Sequence, residues 1–215
     1  MSPQLIFIFS LSVGLPLLSL LFKKEFCISS LPYLLIYFLL VLCNECLYYY
    51  IPFDKVGNII TNVFFLFEFF LIHRQLKQWG VFQRKFSFGV MLSAGLIVYL
   101  LTLFYYDSFK SLNSLFLVFS NFTLVLACID AVSHFYVADE VPLTKDYRFI
   151  IVSCLIIFFC LSILVESFFI FKLNLSPTFM NRVFEIKVYL NVLIHIIILS
   201  AILWTPTKKI STSRS

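Results

Sequence analysis

Residues 183–204 read VFEIKVYLNVLIHIIILSAILW, and this stretch decides the fold. A helix needs about 20 mostly apolar residues to cross a hydrocarbon layer about 30 Å thick, and this stretch is long enough. Six further runs along the 215-residue chain have the same character. The seven runs cover residues 5–22, 31–51, 56–72, 86–106, 112–135, 149–171 and 183–204. They are continuous rather than alternating, which favours helices over barrel strands.

The composition of the chain also requires lipid around it. Hydrophobic residues make up 61% of the sequence and charged residues 13%, with a mean hydropathy of +1.01. A soluble domain has about 45–50% apolar and about 25% charged residues, and a small core cannot bury such a surplus. We therefore predict an all-α, polytopic transmembrane bundle of seven helices, a single domain over residues 1–215 without a soluble domain. The third run is the shortest. The alternative is a longer helix that extends beyond residue 72 and ends within residues 74–79.

Lysine and arginine are unevenly shared between the two ends of this bundle. The connections after the first, third and fifth runs and the C-terminal tail hold Lys23, Lys24, Arg74, Lys77, Arg84, Lys85, Lys145, Arg148, Lys208, Lys209 and Arg214. The alternate connections hold Lys55, Lys110, Lys172 and Arg182. Since basic loops stay in the cytoplasm, we predict an integral inner-membrane protein with its N-terminus outside and its C-terminus inside. The net charge of +5 then serves topology and anionic lipid contact, and we expect no nucleic-acid partner.

The last run carries a polar stripe. Lys187, Asn191 and His195 are spaced i, i+4 and i+8, so they share one face of a helix that is otherwise mostly apolar. Ionisable groups at membrane depth are costly, which makes them candidates for function, and a buried lysine needs a carboxylate. The predicted topology brings carboxylates of two other helices to the level of Lys187. We predict an outward-opening pocket, for a ligand or an ion pathway, formed by Glu45, Asn62, Glu166, Lys187 and Asn191.

A second polar group is predicted nearer the cytoplasm. It consists of Glu68, Asp130, His134 and His195. Asp130 and His134 are one helical turn apart, so they could share a hydrogen bond or a proton. The alternative for each residue of both groups is a hydrogen bond between helices without further function.

Three functions fit this layout. We favour a non-enzymatic sensor, signal transmitter or regulator of a partner, acting through the outward pocket, with no catalytic residue, metal or cofactor. An ion or proton channel or small transporter is the first alternative, as an oligomeric pore or a cell-defence accessory, although unbroken helices and missing repeats count against it. The second alternative is an intramembrane metal-dependent hydrolase. It would need Asp130, His134 and His195 to converge, because catalytic zinc takes three protein ligands.

The segment of residues 73–85 is the best candidate for partner binding. Trp79 and Phe82 are interleaved there with four basic residues. Such a segment can lie on the inner leaflet or dock a membrane or cytoplasmic protein, and the alternative is a plain positive-inside anchor. Besides the lipid bilayer, we expect a second copy of the chain as a possible partner.

Two short segments resemble a known family. Residues 62–70, NVFFLFEFF, resemble a helix with an Asn followed by a Glu-Phe pair, and residues 189–195, YLNVLIH, resemble an x-x-N-I-x-x-N helix. Both occur in small seven-helix bacterial membrane proteins of about this length, for which no activity is established. The resemblance covers the helix order along the chain, implies a seven-helix bundle and points to Glu68 and Asn191. The chain departs from that family where His195 replaces an Asn and Lys187 a milder polar residue.

Overall fold

The computed structural model describes residues 3–23, 29–50, 55–82, 85–105, 111–138, 142–170 and 176–205, and the regular elements in these ranges are helices. They are α1 (Pro3–Ser10), α2 (Gly14–Phe22), α3 (Pro32–Tyr50), α4 (Lys55–Gln78), α5 (Lys85–Tyr105), α6 (Ser114–Ala138), α7 (Tyr147–Ile170) and α8 (Pro177–Trp204). Short 3-10 turns occupy Leu11–Val13, between α1 and α2, and Leu143–Lys145, before α7.

Six of these helical segments are long and apolar enough to cross a membrane. They are Gln4–Phe22, which joins α1 and α2, and the main parts of α4, α5, α6, α7 and α8. The apolar part of α3 is shorter and covers Pro32–Leu47. The prediction of an all-helical, multi-pass architecture is therefore confirmed for the described ranges.

The helices form a ring with one helix outside it. The joined pair α1 and α2 packs on α3, α3 on α4, α4 on α6, α6 on α7, α7 on α8, and α8 returns to α1 and α2. The remaining helix, α5, packs against α4 and α6 from outside the ring. Large apolar side chains such as Ile97, Ile157 and Leu193 are more than half exposed, as expected for surfaces that contact lipid.

One end of the ring carries Lys23, Arg74, Lys77 and Arg148, and we call it the basic end. Hydrogen bonds between helices stabilise this end. The start of α3 is bound by the last turns of α4. Gln75 Oε1 accepts from the Leu34 N–H at 3.1 Å, and Gln75 Nε2 donates to the Ser30 carbonyl at 2.9 Å. Trp79 Nε1 donates to the same carbonyl at 3.1 Å.

Lys23 joins the first span to the last at the basic end. Its ammonium Nζ donates to the carbonyl oxygens of Ile202, Leu203 and Thr205 at 2.9, 2.7 and 2.6 Å. These carbonyls lie at the C-terminus of α8, where they lack partners within the helix and where the helix dipole favours a cation. The lysine that the sequence analysis counted only toward topology therefore also caps a helix.

The third span takes the longer of its two predicted ends. α4 continues through residues 73–78 because its polar residues there, His73 and Gln75, are buried at 0% and 1% exposure. Gly80 then stops the helix with a φ of 85°. Its N–H donates to the Lys77 carbonyl at 3.0 Å and the Val81 N–H donates to the Leu76 carbonyl at 3.2 Å, which is the Schellman pattern.

The expectation of unbroken helices is wrong for the first span. The 3-10 turn at Leu11–Val13 interrupts it in the middle. Pro16 follows within α2, and a proline inside a helix removes one hydrogen bond and clashes with the preceding turn. The last span differs in another way, because α8 begins at Pro177 rather than near residue 183. Ser176 caps it by accepting from the Phe179 N–H at 3.2 Å.

Candidate ligand-binding cavity

A cavity of about 330 Å³ lies inside the ring. Helices α1, α3, α4, α6, α7 and α8 all contribute to its wall, whereas no described residue of α5 does. Toward the basic end the cavity is followed by buried apolar residues, which we call the floor: Leu34, Ile72, Ile151 and Ile202, each at most 1% exposed. Each floor residue lies one helical turn below a residue of the cavity wall. The space thus belongs to the half of the bundle away from the basic end, which we call the cavity half.

Aromatic pairs join neighbouring helices of the ring in the cavity half. These contacts link α1 to α3, α1 to α8, and α7 to α8, with ring centroids 4.1, 5.7 and 5.9 Å apart. The pairs are Phe7 with Tyr49, Phe9 with Tyr189, and Phe168 with Phe179. Packing of this kind holds the wall together without filling the space behind it.

Three carboxylates and one lysine of the cavity wall come from four different helices. They are Glu45, Glu68, Glu166 and Lys187. Glu45 and Glu166 lie in the last two turns of α3 and α7, the ends of those helices away from the basic end. Lys187 lines the same cavity as all three carboxylates, and it makes no direct ion pair with a residue that the structure describes. Glu68 also accepts a hydrogen bond from the Tyr37 hydroxyl at 2.9 Å.

Two amide side chains in the cavity wall have atoms without hydrogen-bond partners. Asn121 is 1% exposed, and its Nδ2 has no acceptor among the residues that the structure describes. Asn191 Oδ1 is likewise buried and has no donor within that part of the chain. Because buried polar atoms are nearly always paired in folded proteins, such orphans in a cavity indicate groups that an occupant would satisfy.

His195 connects the cavity to the break in the first span. A hydrogen bond of 2.8 Å joins its Nδ1 to Ser12 Oγ in the 3-10 turn. The imidazole also meets the Phe38 ring edge to face, with centroids 6.2 Å apart. The broken span and the polar stripe of α8 are therefore held together beside the cavity.

The structure brings together four of the five residues predicted for the outward pocket. Glu45, Glu166, Lys187 and Asn191 line the cavity, and Asn62 does not. Asn62 Nδ2 donates to the Ser111 carbonyl at 3.0 Å, and its Oδ1 accepts from the Asn113 N–H at 2.8 Å. Asn62 therefore ties α4 to the start of α6, which matches the alternative of a hydrogen bond between helices.

The second predicted group is divided between two places. Glu68 and His195 line the same cavity as the first group, whereas Asp130 and His134 line a separate, shallow pocket with Val81, Phe82, Ser87, Ser133 and Val137. Asp130, His134 and His195 are thus not assembled as the hydrolase alternative requires. Within the described ranges no group of three or more His, Cys, Asp or Glu side chains is placed to hold a metal ion.

Several residues of the cavity wall were not assigned to it from the sequence. Asn121 is a lone amide in an apolar helix, and no spacing links it to the stripe of α8. In the sequence, Tyr37 does not differ from the other aromatic residues of a membrane helix. Only the structure shows that its hydroxyl donates a hydrogen bond to Glu68. The polar residues of an apolar helix were the only available signal, and that signal does not report which helices are neighbours.

The segment of residues 73–85 exposes fewer side chains for binding a partner or the lipid surface than its sequence predicts. Trp79 is 8% exposed and points inward, while Arg74 and Gln78 are exposed. The guanidinium of Arg74 lies 5.6 Å from the centre of the Phe88 ring. Residues 83 and 84 of this segment lie outside the described residues, as do Lys24 and the basic residues of the C-terminal tail.

Comparison of the chain with known protein families, curated proteins and solved structures finds no match. The resemblance of residues 62–70 and 189–195 to small bacterial seven-helix proteins therefore stays a prediction. The function has to be argued from the cavity itself, since a helical bundle alone does not imply an activity.

Proposed function

We propose that this chain is a non-enzymatic, multi-pass inner-membrane protein that binds a small polar molecule in its cavity. Binding would make it a sensor, a signal transmitter or a regulator of a partner. The observation that carries the proposal is the Asn121 amide, buried in the cavity wall without an acceptor. A bound molecule would supply that acceptor.

The size and lining of the cavity support binding rather than mere helix packing. Small-molecule sites have volumes of roughly 300–1,000 Å³ and mostly apolar walls with a few convergent polar groups. The cavity, at about 330 Å³, fits the lower end of that range. Hydrogen bonding between helices explains Asn62, which has partners on both amide atoms, but it does not explain Asn121.

The ring provides a route from the cavity to the basic end. An occupant would touch all six spans of the ring, including α8, whose C-terminus is capped by Lys23. We propose that the cavity half faces the outside and the basic end the cytoplasm, following the distribution of lysine and arginine. A cytoplasmic or membrane partner would then meet the exposed Arg74 and Gln78.

Native mass spectrometry of the protein released from detergent micelles tests the proposal. We expect a small-molecule adduct on the wild type and on Ser133→Ala, whose hydroxyl bonds to Ile129 of its own helix and to no other described residue. We expect the adduct to be absent from Asn121→Leu, checked for folding by its thermal unfolding. An adduct that survives Asn121→Leu, or a wild type that never carries one, contradicts the proposal.

Signal transmission requires a second measurement. Amide hydrogen exchange of residues 73–82 should slow when the adduct is present, because occupancy would tighten the ring against the basic end. Exchange that is the same with and without the adduct would leave a binding protein that is not a sensor.

Transport is the second candidate function, and the depth of the polar groups favours it. The wall has ionisable groups from Glu45, near one end of α3, to His195, beside the break in the first span. Against it, the floor residues are apolar and buried. Ion flux in proteoliposomes that disappears in Glu166→Gln or Lys187→Met would favour a channel or transporter and contradict a purely signalling role.

A further inference from the structure

We infer that the cavity takes an organic amine: a protonated amino group joined to an apolar or aromatic body that carries one hydrogen-bond acceptor. This inference rests on the proposed function and specifies its ligand. It follows from three properties of the wall, which are its charge balance, its unpaired amide atoms and its aromatic lining.

The charge balance of the wall favours a cation. Three carboxylates, of Glu45, Glu68 and Glu166, face the single ammonium of Lys187. When Lys187 and at least two of these carboxylates are ionised, the wall carries a net negative charge. Unpaired charges are costly away from water, so a positively charged occupant lowers the free energy of the wall more than a neutral or anionic one does.

The unpaired amide atoms specify the other polar groups of the ligand. Asn191 Oδ1 needs a donor, and an ammonium group offers three donors and no acceptor. Asn121 Nδ2 needs an acceptor, which the ammonium cannot supply. One molecule that satisfies both atoms carries an amino group and, apart from it, an oxygen or equivalent acceptor.

Most of the remaining wall residues are aromatic or aliphatic, although Ser10, Asn44, Thr61, Ser162 and His195 also contribute. Phenylalanine side chains from α1, α3, α4, α7 and α8 face the space: Phe9, Phe38, Phe64, Phe65, Phe158 and Phe184. Aromatic rings bind an apolar body by stacking and attract an ammonium group through their faces. A bare metal ion does not fit, because the space would hold about ten water molecules at roughly 30 Å³ each and no described cluster of ligands surrounds it.

Three probes of matched shape test the inference by isothermal titration calorimetry on the full chain in lipid nanodiscs at neutral pH. Tyramine carries the ammonium and a phenol oxygen, tyrosol replaces the ammonium by a hydroxyl, and 4-hydroxyphenylacetate replaces it by a carboxylate. We expect tyramine to bind at least about tenfold more tightly than tyrosol, the equivalent of one charge-assisted contact, and the anion to bind more weakly than both.

Variants of the carboxylates locate the effect. Glu45→Gln and Glu166→Gln should each lower tyramine affinity about tenfold and leave tyrosol affinity unchanged. Tyrosol binding to the same sample shows that the variant is folded. Glu185→Gln is the matched control, because Glu185 lies on α8 outside the cavity wall, 3.6 Å from Arg182, and should change neither affinity.

The outcomes separate the ligand class from the proposed function. Equal affinity for tyramine and tyrosol, or tightest binding of the anion, overturns the amine inference while leaving a binding cavity in place. Binding of none of the three probes also overturns it, and the proposed function is then decided by the adduct on wild type and Asn121→Leu. If Glu185→Gln also loses the preference for tyramine over tyrosol, the ammonium group binds outside the cavity, and the inference is overturned as well.

Discussion

The two halves of this bundle differ in what surrounds their unpaired polar atoms. At the basic end His73 Nε2 has no described partner and is buried among packed side chains, whereas the unpaired amide atoms of the cavity half border an open space. At the basic end, Gln75, Trp79 and Lys23 are each paired with backbone groups of another helix. In the cavity half, Asn121 and Asn191 have buried atoms without a described partner, and Lys187 has no direct ion pair with a described residue. Both sets of residues lie on apolar helices of similar composition, so polarity at membrane depth does not by itself indicate function.

The difference shows which polar residues stabilise the bundle and which are available for binding. A side chain that completes the backbone hydrogen bonds of a neighbouring helix contributes stability. A side chain held in the wall of a cavity without partners costs stability unless something binds, and such costs are typical of functional sites. The following substitutions test that division, beginning with the largest expected effect.

Gln75→Leu should destabilise the protein most. It removes the acceptor of the buried Leu34 N–H and one donor to the Ser30 carbonyl. Leaving buried backbone groups unpaired costs about 3 kcal/mol in the free energy of unfolding. Gln78→Leu, which removes one exposed bond to the Ser29 carbonyl, should cost less than about 1 kcal/mol. Unfolding of both variants in micelles by a chemical denaturant measures the difference, and equal losses would refute the role given to Gln75.

Asn62 and Asn121 form a matched pair within the cavity half, since each is 1% exposed. Asn62→Leu should lower the free energy of unfolding by about 2 kcal/mol, because the buried Asn113 N–H loses its acceptor. Asn121→Leu should leave the stability of the ligand-free protein unchanged or raise it slightly, because its Nδ2 has no partner to lose. A comparable loss in both variants would mean that Asn121 is also structural and would remove the main argument for a ligand.

Gly95 tests whether α5 is packed as closely as the ring. A Cβ added there would lie 2.3 Å from the ring of Phe69, which is fully buried. Gly95→Ala should therefore destabilise the protein by about 1–2 kcal/mol. Gly89→Ala on the same helix meets nothing within 4 Å and should be neutral or slightly stabilising. The two thermal unfolding midpoints should move in opposite directions or differ clearly, and a matched shift would refute the close packing.

Lys23→Met should have the smallest effect among the substitutions expected to destabilise, their controls apart, at about 1 kcal/mol, because the cap lies at the edge of the bundle near solvent. Lys145→Met, an exposed lysine of the same end, is the control for the loss of one positive charge. Amide exchange near Ile202 and Leu203 should speed up in Lys23→Met alone. Equal exchange in the two variants would show that the three carbonyl contacts do not stabilise the end of α8.

Much of the architecture could be predicted from the sequence because lipid restricts the choices. Runs of about 20 apolar residues become helices wherever backbone groups have no water to bind, so the helices lie close to the predicted runs. The errors occur at particular residues. α4 extends past residue 72 because Gln75 is satisfied by α3, and no property of the run itself reports that neighbour. The break at Leu11–Val13 lies one turn before Pro16, and hydropathy does not report it because hydropathy depends on residue types and not on conformation.

The sequence by itself determined the environment, the helical class and the polar face of α8, because these depend on hydropathy and on spacing along one helix. Only the tertiary structure decided which helices are neighbours. It separated Asp130 and His134 from His195, removed Asn62 from the predicted pocket and added Asn121 and Tyr37 to its surroundings. The physical reason is that a cavity is a property of six packed helices. Apolar helix surfaces resemble one another so closely that the sequence of one helix does not specify which helices pack beside it.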